Sequence, residues 1–316
     1  MGDIEMNKFL LRKGFLKVDH HHELYYEVCG NPLGIPILFV HGGPGAGFTE
    51  ADKRFFDYEV FKVIFYDQRG ASKSKPFGST ETNTTQELVN DILKVLNFLN
   101  IESCYVFGGS WGTTLSLCFA IENPDKVKGL ILRGVFLADR NAINHYLGGG
   151  VKTFYPEAWM RFIDKVPENE IGNVPSFYLE QMKNGSSETR SFFAYEWAYY
   201  EISIFQKCIS SKQIEGILER IPYESLATLE AHYLSNNCFL QEGFIMNNVE
   251  KIENIRTYII HGRFDMICPP IQAYNLNQKL KNSTMKVVDA GHSDFESEIE
   301  SAIKNALEEI KRIEYN

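Results

Sequence analysis

The chain has 316 residues, 44% of them hydrophobic, with 32 Lys+Arg against 41 Asp+Glu and a formal net charge of −9. That length can bury a full core and exceeds what one compact α/β domain needs, while the acidic balance and the lack of any basic run exclude a nucleic-acid-binding face. The six cysteines are widely spaced with no C-x-x-C pair, which speaks against zinc and a disulfide framework and for a reducing compartment.

At the N-terminus, Met1 to Val18 is broken by Asp3, Glu5, Lys8, Arg12 and Lys13 and has no apolar signal-peptide core. Gly2 invites a myristoylation reading, but Met6 stands where that motif needs Ser or Thr. No apolar run approaches the ~20 residues that span a bilayer, so a soluble cytoplasmic protein without membrane association is expected. His20, His21 and His22 are adjacent, so in a strand they would alternate faces and could not converge on one metal; they are read as a solvated surface tract.

Ile35 to Val40 reads as a buried strand, followed directly by His41-Gly42-Gly43-Pro44-Gly45. Glycines there allow backbone amides to turn toward a bound carbonyl. A phosphate loop fails on spacing, because neither G-x-G-x-x-G nor a following Gly-Lys-Ser/Thr is present. Phe61 to Tyr66 is the next strand, ahead of Asp67-Gln68-Arg69-Gly70, and Thr84 to Asn100 reads as a helix.

Cys104 to Phe107 is a third buried strand, and Gly108-Gly109-Ser110-Trp111-Gly112 follows it as a G-x-S-x-G pentapeptide before a helix over Thr113 to Asn123. A serine at such a strand-to-helix turn is a candidate nucleophile, although the pentapeptide alone also fits a glycine-rich turn that happens to hold a serine. Gly129 to Arg133 reads as a strand. From about Asp139 to Asn248 the strand–helix alternation stops, and Phe192, Phe193, Tyr195, Trp197, Tyr199, Tyr200 and Phe205 crowd together. This stretch is read as a helical cap over the strand C-termini, where α/β sheets bind ligands, with most of its rings serving as packing.

Arg256 to His261 resumes the strands, and the turn Gly262-Arg263-Phe264-Asp265 carries one acid; Thr284 to Val288 is the next strand, with His292 just beyond it and a closing helix over Ser297 to Arg312. Serine needs a histidine to take its proton, and the histidine needs a carboxylate to fix its tautomer. The chain order Ser110, Asp265, His292 is that of α/β-hydrolases. His41, His145, His232 and His261 all fail that order. Gly43 and Trp111 are assigned as backbone donors to the oxyanion.

The set His41-Gly42-Gly43-Pro44-Gly45, Asp67-Gln68-Arg69-Gly70, Gly108-Gly109-Ser110-Trp111-Gly112, Gly262-Arg263-Phe264-Asp265 and Gly291-His292-Ser293 resembles the successive signatures of proline iminopeptidases. The resemblance implies an α/β-hydrolase fold, a mostly parallel sheet flanked by helices, with residues 1–138 and 249–316 as core and 139–248 as inserted helical cap. It also implies a serine peptidase that releases an N-terminal residue, preferably proline, from short peptides, with no metal or other cofactor. By the same resemblance, Glu201 in Trp197-Ala198-Tyr199-Tyr200-Glu201 and Glu230 in Leu229-Glu230-Ala231-His232-Tyr233 hold the substrate ammonium, and Phe136, Tyr146 and Cys268 line the slot for the released residue. Tyr200 stands where the family usually has tryptophan, Leu234 where it tends to have phenylalanine, and Ser72 and Lys73 replace the usual glycine and arginine. A broader aminopeptidase, a small-ester hydrolase of the same fold and a non-catalytic binding protein remain as alternatives.

Overall fold

A computed structural model describes residues 8–315; the reading of Gly2 and Met6 lies outside them. Strands β1 (Leu10–Lys17), β2 (Glu23–Gly30), β3 (Ile35–Val40), β4 (Phe61–Tyr66), β5 (Cys104–Gly109), β6 (Val127–Arg133), β7 (Arg256–Gly262) and β8 (Ser283–Val288) form an eight-stranded sheet in the order β1-β2-β4-β3-β5-β6-β7-β8. β2 runs antiparallel to both β1 and β4, and the remaining neighbours are parallel. Every residue of β5 is buried, as a central strand covered on both faces should be.

Helix α1 (Thr85–Phe98) starts at Thr84, whose side chain accepts the Glu87 N–H. Helix α2 (Trp111–Glu122) is buried from Trp111 through Ile121. It has no polar face because sheet and neighbouring helices enclose it. Between β6 and β7 lie helices α3 (Arg140–Leu147), α4 (Pro156–Phe162), α5 (Val174–Asn184), α6 (Ser187–Ser203), α7 (Ser211–Leu218), α8 (Tyr223–Ser235) and α9 (Phe244–Asn248). Their aromatics pack on one another: the Phe162 ring stacks on Tyr200 at 4.3 Å and on Tyr178 at 4.6 Å, with Trp197 edge-on at 5.6 Å. Most of the aromatic run is therefore packing, and Tyr200 spends its hydroxyl on the Tyr146 carbonyl at 2.7 Å. Helix α10 (Pro270–Lys279) precedes β8, and α11 (Ser297–Tyr315) closes the chain by burying Ile299, Ile303, Leu307 and Ile310 along one stripe.

The helical segment meets the sheet at the loops that follow strand C-termini. The Phe205 carbonyl accepts N–H groups from His292 at 2.9 Å and Ser293 at 3.0 Å, beyond β8. Ser225 Oγ donates to the Gly45 carbonyl at 2.9 Å, beyond β3. Tyr233 Oη donates to Asn83 Oδ1 at 2.7 Å. One reading of the N-terminal region is corrected here. His22 is fully buried, between the bend over residues 19–21 and β2 and not on a solvated tract, with Nδ1 3.1 Å from Asp19 Oδ2. The Asp19 carboxylate also pairs with the buried Arg69 guanidinium at 2.9 Å. Among the described residues, no helix is long and apolar enough to cross a membrane.

Candidate active site

Ser110 sits between β5 and α2 with φ 55° and ψ −124°. A non-glycine residue in that region costs on the order of 1–3 kcal/mol and persists only where its surroundings enforce it. Here they do: a Cβ on Gly108 would collide with the Gly112 carbonyl, and one on Gly112 with the Val40 carbonyl. The spacing of the pentapeptide thus follows from close backbone contact between β3, β5 and α2. The Ser110 N–H donates to the Arg133 carbonyl at 2.8 Å, which fixes the turn against the end of β6.

Asp265 and His292 are both buried, and His292 Nδ1 lies 2.7 Å from Asp265 Oδ2. The other oxygen, Oδ1, accepts the backbone N–H groups of Ile267 at 3.1 Å and Cys268 at 2.8 Å. Despite burial, the His292 and His261 imidazoles and the Cys268 amide hold the Asp265 carboxyl below its ordinary pKa. This keeps the acid ionised and the Nδ1 proton in place, leaving Nε2 as acceptor. Among the described residues, no hydrogen bond joins Ser110 Oγ to that nitrogen. The Arg133 guanidinium stands there instead, with Nη1 3.3 Å from Nε2 and 3.0 Å from the His292 carbonyl. Arg133 is buried at the C-terminal end of β6, and the sequence reading missed it because it passes for the last residue of a strand.

Gly42 packs against the serine, since a Cβ there would lie 3.2 Å from the Gly109 carbonyl oxygen and 3.4 Å from Ser110 Cβ. The Gly43 N–H has no acceptor among the described residues. Trp111 N–H is the first of α2, a position that a helix leaves without an internal partner. Both assigned donors are therefore free.

Glu201 on α6 and Glu230 on α8 are buried beside each other. Trp197 Nε1–H donates to Glu230 Oε2 at 2.6 Å, while Glu201 Oε2 has no partner among the described residues. Burial pushes Glu201 up to about 7, and burial together with the Glu201 charge pushes Glu230 well above the ordinary carboxyl range. Tyr146 is buried; burial, then the Glu230 and Glu201 charges, push its hydroxyl well above the ordinary range, and that hydroxyl has no partner among the described residues. Cys268 lies beside Ser110, and its Sγ is within 4.8 Å of ligand atoms of Asp265 and His292. Burial and the Asp265 charge raise its thiol well above the ordinary range. Phe136 is buried behind the elbow, where its backbone bonds to the Thr113 and Thr114 hydroxyls at 2.9 and 2.6 Å. Leu234 is buried on α8.

The sheet order and the serine elbow define a protein of the α/β-hydrolase fold, and that fold family matches residues 35–299. Two solved structures are similar throughout their length at low identity. They are a Mycobacterium smegmatis proline iminopeptidase (TM-score 0.67, 16% identical, 96% of this chain and 100% of that one) and a thermophilic esterase from Thermogutta terrifontis (TM-score 0.66, 21%, 96% and 100%). Sequence relatives separate these: the chain is 39% identical over 302 residues to the proline iminopeptidase of Neisseria gonorrhoeae, covering 94% of this chain and 95% of that one. It is 38% identical over 303 residues to that of Arabidopsis thaliana, covering 95% and 80%. The chain belongs to the proline iminopeptidase family.

Proposed function

We propose that the chain is a prolyl aminopeptidase acting on short peptides with a free N-terminus, with residues 139–248 forming a cap that supplies the amine site. The observation that carries the reading is the pair of buried carboxyls, Glu201 and Glu230, of which only Glu230 receives a tryptophan donor among the described residues, with the Glu201 charge felt at Cys268 beside the nucleophile. A buried carboxyl pair this poor in donors calls for a cation. A peptide's terminal ammonium is such a cation, and an ordinary ester substrate brings none.

Ser110 Oγ attacks the carbonyl of the N-terminal residue as His292 Nε2 takes its proton and Asp265 steadies the imidazolium. Substrate binding brings Oγ within reach of Nε2, a contact that often tightens only in the complex. Gly43 and Trp111 N–H groups stabilise the tetrahedral oxyanion. His292 then protonates the leaving amine, and water releases the acyl group from Ser110. Tyr146, Phe136 and Cys268 form the apolar slot. A slot of this kind discriminates by only about 1–3 kcal/mol per methylene, so proline preference is graded. Rates on proline, alanine, valine and leucine arylamides test it: proline should lead in kcat/KM, and a lead by leucine would reassign the chain as a broader aminopeptidase.

A further inference from the structure

His41 was set aside as a catalytic base because it precedes the nucleophile, yet it is fully enclosed and both ring nitrogens are engaged. Nε2 lies 2.9 Å from the Gln68 backbone nitrogen, whose N–H can only donate, so Nε2 carries the lone pair. The ring proton is therefore on Nδ1, which lies 2.8 Å from the Gly42 carbonyl oxygen and donates to it. Burial pushes the His41 imidazole down to about 4, consistent with a neutral ring.

In a trans peptide the carbonyl and the following N–H point in opposite directions. Holding the Gly42 oxygen toward His41 therefore turns the Gly43 N–H away from it, and the preceding Gly42 packs on Ser110 Cβ. Gln68 extends the connection. Its Nε2 donates to the His41 carbonyl at 2.9 Å, and its Oε1 accepts Trp111 Nε1–H at 3.0 Å. Gly43 and Trp111 are thus tied together through His41 and Gln68.

We propose that His41, bridged by Gln68 to Trp111, is a positioning residue that aims the Gly43 N–H at the developing oxyanion. This rests on the reading of Gly43 and Trp111 as oxyanion donors. Oxyanion contacts act in the transition state, so their loss falls on kcat, not on KM.

Two substitutions in the full chain separate aim from bulk. An asparagine amide overlays Nδ1 and can still donate to Gly42, whereas a glutamine amide overlays Nε2, can still accept from Gln68, and leaves the Gly42 carbonyl free. Each loses one of two hydrogen bonds, so both should melt at similar temperatures. With proline arylamide, His41→Gln should lose about 10- to 100-fold in kcat with KM changed less than about threefold, a fraction of the full loss of a donor. His41→Asn should keep the larger part of kcat. Equal losses in both, a loss that follows melting temperature, or a loss residing in KM would overturn the positioning role alone. A wild type inert toward proline arylamide would overturn it together with the functional reading.

Discussion

Asp265 and the Glu201–Glu230 pair are all buried carboxyls, yet their affinities for protons move in opposite directions. Asp265 sits at the end of β7 with an imidazole on one oxygen and two backbone N–H groups on the other, and is held ionised. The helical segment gives its two glutamates one indole N–H between them, and both are pushed toward the protonated form. The first is a finished arrangement in which the protein satisfies its own charge. Among the described residues the second lacks a positive partner, which is the condition for selective capture of one. On the proposed reading, the sheet carries the chemistry and the helices carry the choice of substrate.

The largest expected effect breaks the sheet side alone. Ser110→Ala should lower kcat on the order of 10⁶-fold while proline still binds by calorimetry and the melting temperature moves by only a few degrees. Loss of binding along with turnover would mean that the two regions are not separable in this way. Next comes the helical side: Glu230→Gln leaves the substrate ammonium short of a charge in a buried site, a change that costs about 2–5 kcal/mol. It should appear in kcat/KM for proline arylamide. A smaller effect is expected in pH dependence. Glu201 is raised from 4.5 to about 7, so its contribution to stability is fully present below pH 4.5 and is lost as pH rises through about 7. Asp52 and Asp67, raised to about 7 and about 6, add to the same slope. Buried His41, lowered to about 4, works in the opposite direction over the same range, so the test is the difference between two proteins: between pH 4.5 and about 7 the melting temperature of Glu201→Gln should rise relative to that of the ligand-free wild type. Parallel curves would contradict the raised carboxyl.

The contrast also separates what the sequence discloses from what it does not. Period and turn chemistry marked the parallel strands and the elbow, because glycine spacing at Gly108 and Gly112 is dictated by local backbone contact. The β1–β2 pair escaped notice: β1 is largely exposed and interrupted by Gly14 and charges, so it lacks a buried run. Glu201 and Glu230 on α6 and α8 carry no local sign of burial, since their surroundings are assembled from α3, α6, α8 and the loop after β7; only the family resemblance singled them out. Arg133 and Gln68 were hidden for the same reason. Each lies in a recognisable strand or turn, and its role appears only when distant loops close around it.

The most direct measurement compares proline arylamide with its N-acetyl counterpart on the wild-type protein. Capture of a free ammonium by Glu201 and Glu230 requires rapid hydrolysis of the first and a kcat/KM lower by at least about 100-fold for the second. Equal rates on the two, or no hydrolysis of either, would contradict the assignment of the carboxyl pair to the substrate's N-terminus.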